Sequence, residues 1–134
     1  MTTYDELFTQ FITISQTDNF NIPTDTQKQY DLIHTSIRKF NSKLKDNLTW
    51  DDTTETVSRI LTDEEILIIA HYLKLIFTEN QLLYYITLWK PFAKELGQVT
   101  YKAQVDSLKE VIKSEKEEIE QLTISETTDY ISEG

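Results

Sequence analysis

From Ile66 to Phe77 the chain reads Ile-Leu-Ile-Ile-Ala-His-Tyr-Leu-Lys-Leu-Ile-Phe, and only His71 and Lys74 interrupt the apolar run. A helix with so little polar surface must be enclosed by other elements, so this segment is read as a central helix. Its start is marked by Thr62 and Glu65 in capping-box spacing, with Asp63, Glu64 and Glu65 placing negative charge at the positive end of the helix dipole. The run is too short and too interrupted for a bilayer span, which takes about 20 apolar residues. Thr78-Glu79-Asn80 is expected to end or bend it.

The remaining periodicities are also helical. Tyr4, Leu7, Phe8, Phe11 and Ile12 follow the i, i+3, i+4 rhythm of a buried stripe, predicting a helix over about 4–15. A loop over 16–23 follows, with Phe20 and Ile22 turned to the core. A second helix is predicted from Thr24, with Gln27 completing a capping box, to about Lys45, its apolar seam being Tyr30, Ile33, Ile37, Phe40 and Leu44. Residues 46–60 suit either a short helical turn or an extended piece. A fourth helix is expected over about 80–89, then a short one bracketed by Pro91 and Gly97. A last helix over 99–122 shows Tyr101, Val105, Leu108, Ile112, Ile119 and Leu122 on one seam, interrupted at Glu115. Thr and Ser then dominate, so 123–134 reads as a flexible acidic tail, disordered alone, in which Tyr130 and Ile131 are placed to dock on a partner.

Two Gly and two Pro in 134 residues suit long helices better than a turn-rich β fold. The expectation is an all-α bundle of four to five helices around a buried central helix, with 1–122 as one domain. Formal charge is −10, which disfavours generic binding to nucleic-acid phosphates. The sign varies along the chain: residues 27–48 carry Lys28, Arg38, Lys39, Lys43 and Lys45 against Asp31 and Asp46, whereas 109–134 carry eight acids against three Lys. Such an arrangement would orient neighbouring copies head to tail; it also suits a solvated surface. Arg38, Lys39, Lys43 and Lys45 are therefore the candidate contacts for acidic neighbours.

Catalytic chemistry is sparse. With no Cys, disulfides, thiolate zinc sites and cysteine nucleophiles are excluded. His34 follows Asp31 at helical spacing, but a metal site needs more ligands, and neither an HExxH pattern nor a calcium-loop spacing around Asp51-Asp52 is present. His71 is read as a core histidine bonded to a backbone or hydroxyl group, Glu64 and Glu65 as helix-start acids, and Tyr84, Tyr85, Trp89 and Phe92 as core or interface aromatics. No glycine-rich phosphate loop or GxSxG elbow occurs. The sequence points to no enzyme, no cofactor and no bound metal. The N-terminus lacks the basic and apolar regions of a signal peptide, so a cytoplasmic site of synthesis and use is expected.

Leu61-Thr62-Asp63-Glu64-Glu65-Ile66, then Ile69-Ala70, resembles the Leu-Thr-Asp-x-Glu-Ile-x-x-Leu-Ala pattern of small helical neck proteins, the head-to-tail connectors of tailed phages of Gram-positive hosts. Ile37, Lys39 and Phe40 upstream, and Phe92, Tyr101, Leu108 and Lys109 downstream, are similar to further positions of that family, so the resemblance covers about 30–122. Pro91 stands where the family has Asp, and its Trp-Leu-Lys-Pro is not reproduced. The resemblance implies a virion adaptor, assembled in the host cytoplasm, whose copies form a homo-oligomeric ring beneath the portal protein, contact tail or other neck proteins, and let DNA pass without specific binding and without a membrane. Two other readings stay open: a small acidic regulator that mimics DNA or inhibits a host enzyme, and another virion or scaffolding protein.

Overall fold

Capping chemistry fixes where the helices begin. In the computed structural model, which describes residues 1–15, 25–92, 94 and 97–133, with backbone alone from 125 onward, helix α1 spans Tyr4–Ile14 behind a capping box of Thr3 and Glu6. Helix α2 spans Thr26–Leu44. Its N-cap is Asp25, whose side chain accepts from the Lys28 N–H, one residue beyond the expected Thr24, and it ends on Lys45 in the left-handed conformation (φ 57°). Phe20, Ile22 and Thr24 lie outside the described residues.

The chain then makes a short antiparallel hairpin, β1 at Trp50–Asp51 and β2 at Thr56–Val57, with Trp50 opposite Val57 and Asp51 opposite Thr56. Its turn brings Glu55 to φ 54°. The extended N-terminus is stitched to it: the Val57 N–H donates to the Thr2 carbonyl and the Tyr4 N–H to that of Glu55, both at 2.9 Å. The extended alternative for 46–60 is thus the one realised, because these backbone groups find strand partners there.

Helix α3 runs unbroken over Asp63–Trp89, behind the Thr62/Glu65 capping box. Thr78 does not end it: buried, its hydroxyl donates to the Lys74 carbonyl one turn back, so the polar group is satisfied without leaving the helix. The predicted break, and the separate helix over 80–89, merge into one 27-residue element about 40 Å long. That continuity also revises the bilayer comparison, since Asp63–Phe92 is long and apolar enough to cross a membrane by length and composition; 56% of its most apolar stretch, however, is buried within the protein.

A 3-10 turn at Lys90–Phe92, with Pro91 at its centre, closes α3, and Gly97 (φ 86°) precedes helix α4, Gln98–Glu133. α4 returns antiparallel to α3, as the pairs His71–Glu115 and Tyr85–Tyr101 require. Its backbone continues beyond the expected end near Leu122, and buried Thr123 donates to the Ile119 carbonyl. α3 packs against α1, α2 and α4, making an all-α fold with one small hairpin as its only strands among the described residues. Leu7, Phe11, Ile33, Ile37, Phe40, Ile68, Ile69 and Leu73 are fully enclosed in the core. Ile12, expected in the buried stripe of α1, is exposed.

Candidate functional site

The polar residues weighed for chemistry and set aside, among them His34, Asp52, His71 and Glu65, are held in three polar clusters that bind the fold together. At the hairpin, Asp52 accepts hydrogen bonds from the Tyr4 hydroxyl and, at 2.8 Å, from His34 Nε2 through the same oxygen. Its carboxyl lies below the usual range, chiefly through the Tyr4 bond, and burial with the adjacent carboxylate pushes the Tyr4 phenol well above its ordinary value. The His34 ring stacks on Trp50 at 4.5 Å and 13°, and Arg38 covers Trp50 at 5.2 Å as a cation–π contact. His34 therefore meets Asp52 rather than Asp31, and Asp51 accepts from the Thr53 N–H. The result ties α1, α2 and the hairpin into one body, using every polar atom named for internal support.

The second cluster lies between α3 and α4. Glu115 places Oε2 2.6 Å from His71 Nδ1 and Oε1 3.0 Å from Lys74 Nζ, with all three side chains largely buried. Burial alone would raise the Glu115 carboxyl; the His71 bond and the Lys74 ammonium more than offset it, so its pKa falls below the ordinary value. His71 is thus not bonded to a hydroxyl or backbone group as expected. The two polar breaks in α3 and the one break in the α4 seam find one another, which is the signal the sequence carried unread. A third ionic group anchors the helix start: Arg59 donates to both oxygens of buried Glu65, at 3.0 and 2.6 Å, and to Asp46 at 2.5 Å, while the Thr62 N–H donates to Glu65. Among the described residues no group of three His, Asp or Glu side chains is placed to hold a metal ion.

The four basic candidates lie along α2 and at its end, in different settings. Arg38 covers Trp50, and Lys43 donates to Glu120 at 2.8 Å, whose carboxylate raises the Lys43 pKa. Lys39 is exposed, and Lys45 is the left-handed cap. The side chains of Tyr130 and Ile131 lie outside the described residues.

Among the described residues, several large apolar side chains are also exposed. Beyond Thr78, α3 is flanked by α4, which meets it at Tyr85 and Tyr101. Tyr85 stacks on Tyr101 at 5.7 Å and Trp89 meets Phe92 edge-on, but Leu83, Tyr84 and Phe92 are 66%, 68% and 51% exposed. Leu88, Trp89 and Val99 are exposed with them. Little polar surface over 80–89 was legible in the sequence; how much of it stays exposed was not. At the other end of α3, an open groove of about 500 Å³ lies between α1 and α3, with Ile66 and Leu67 on its floor and Asp5, Glu6 and Asp63 at its rim.

The family described as "YomZ prophage protein" matches the chain over residues 1–128. A Bacillus subtilis (strain 168) protein, described as an "SPbeta prophage-derived uncharacterized protein YomZ", is 36% identical over 131 residues, covering 98% of this chain and all of the relative. No solved structure matches.

Proposed function

The chain belongs to the YomZ prophage protein family, and from that premise we propose that it is a structural protein of the phage particle, a head-to-tail connector whose copies form a ring under the portal. The observation that carries this reading is the far end of the α3–α4 hairpin, where leucines and aromatics stand in solvent on a chain of net charge −10. Contiguous exposed apolar surface marks a place where another protein binds. The polar clusters, by contrast, spend their hydrogen bonds on holding the fold. An acidic subunit also suits a DNA conduit, since negative walls repel phosphates and let a duplex slide. In this reading the protein is made in the host cytoplasm, ends in the virion, and contacts portal and tail or other neck proteins.

The test is composition and contact. Mass spectrometry of purified particles should find the chain at a fixed ratio to portal, and electron microscopy of the chain mixed with portal should show added density on the portal's tail-facing side. Absence from particles would reject the virion role. Recovery instead with a host enzyme would favour the acidic-regulator reading.

A further inference from the structure

The two ends of α3 complement each other. Its C-terminal end presents the exposed apolar residues Leu83, Tyr84, Leu88, Trp89 and Phe92. Its N-terminal end forms one wall of the groove floored by Ile66 and Leu67 and rimmed by Asp5, Glu6 and Asp63. Charge follows the same division: from 79 to 106, Lys90, Lys94 and Lys102 balance Glu79, Glu95 and Asp106, so the hairpin end is neutral and the whole −10 resides elsewhere. Lys102 is engaged by Asp106, and at the apex exposed Lys90 and Lys94 stand against Glu95, so residues 83–97 carry a net charge of +1.

We infer that the hairpin tip of one copy docks in the α1–α3 groove of the next, its aromatic side chains on Ile66 and Leu67 and its apical lysines against the acidic rim. The occupant is a second copy because the same chain supplies both halves of the match, an apolar plug with cations and an apolar socket with anions. The groove volume, about 500 Å³, lies within the ~300–1,000 Å³ of clefts that hold drug-sized ligands, room enough for one or two aromatic side chains. Tip-to-tip contact would instead leave the acidic groove empty and set like lysines face to face. A plug and socket on opposite ends of one helix make a heterologous contact, which repeats from copy to copy and closes into a ring when the rotation between copies allows. This inference deepens the assembly reading and rests on it for its biological meaning, not for its test.

Three proteins, all full-length, decide it. The wild-type chain should self-associate in light scattering at high concentration and low salt, and more weakly at high salt. A tip variant, Tyr84→Glu/Phe92→Ser, and a groove variant, Asp5→Lys/Thr9→Arg, should each weaken self-association at least tenfold while circular dichroism stays unchanged, all these positions being exposed or on a helix's outer face. Mixed together, the two variants should form a 1:1 dimer and nothing larger, because each mixture retains one intact tip and one intact groove. Self-association of the groove variant alone would mean tip-to-tip contact and overturn the inference. So would a wild-type chain that stays monomeric throughout, or one whose tip binds anionic lipid vesicles instead. Since the chain has no Cys, a second readout is clean: Thr9→Cys mixed with Leu88→Cys should give a disulfide-linked pair on mild oxidation, and failure to link counts equally against it. A chain that binds portal yet fails these tests refutes the docking geometry alone; one that passes them yet is missing from particles refutes the connector role alone.

Discussion

The two halves of α3 are both rich in apolar residues and opposite in setting. From Ile68 to Thr78 nearly every side chain is buried, and the polar ones there are provided for: Lys74 by Glu115, Thr78 by the Lys74 carbonyl. From Leu83 to Phe92 the side chains are largely apolar too, but Leu83, Tyr84, Leu88, Trp89 and Phe92 are exposed. Hydrophobicity therefore reports that a surface will be covered, without reporting by what. In the first half the cover is intramolecular and contributes to stability; in the second the side chains are exposed, and the proposed function assigns their cover to a partner.

Removing Glu115 should break the buried half most. Glu115→Ala leaves Lys74 and His71 without their carboxylate inside the protein, and loss of one member of a buried ion pair costs about 3–5 kcal/mol, readable by urea denaturation. The same variant should alter the acid limb of stability. Because the native Glu115 pKa lies below 4.5, the ionised form stabilises the fold fully above that value, and this contribution is lost as pH falls through the depressed native value. In Glu115→Ala the decline in stability as pH falls below about 4.5 should be shallower, with Asp52 and Glu65, also lowered, supplying the remainder. Next in size, Leu73→Ala, at a position with no solvent exposure, should cost about 2–5 kcal/mol through lost burial and the cavity left behind.

How much of this was legible in the chain depends on range. The capping boxes of α1 and α3 and the seam of α2 are local signals, and α3 begins where Thr62 and Glu65 said it would. Thr78-Glu79-Asn80 misled because poor helix formers break a helix only when their polar groups lack partners, and Thr78 finds one within α3. The Asp52–His34–Trp50 cluster joins residues 18 and 16 positions apart, and Glu115 reaches His71 across 44 positions; neither pairing has a local spacing to betray it. The acid breaking the α4 seam and the two cations breaking α3 were each visible alone, and only antiparallel packing sets them level. The same local accuracy makes a third prediction modest: Thr62→Ala, which removes the hydroxyl that accepts from the Glu65 N–H, should cost about 1 kcal/mol, with Glu65 still held by Arg59. A loss above about 3 kcal/mol would mean the cap also positions that buried ion pair.

The smallest effect belongs to the exposed half, and it is the sharpest test of the contrast. Leu83 sits in the same helix as Leu73, ten residues on, yet it is 66% exposed where Leu73 is sealed. If exposed apolar residues at the hairpin end serve a partner rather than the fold, Leu83→Ala should change unfolding free energy by less than about 0.5 kcal/mol, while lowering the tendency of the chain to associate. Alanine is also the stronger helix former, so a small gain in stability is allowed. A destabilisation of about 2 kcal/mol or more, measured where the chain is monomeric, would show that Leu83 is buried in solution. The division of α3 into a half that stabilises and a half that recognises would then collapse.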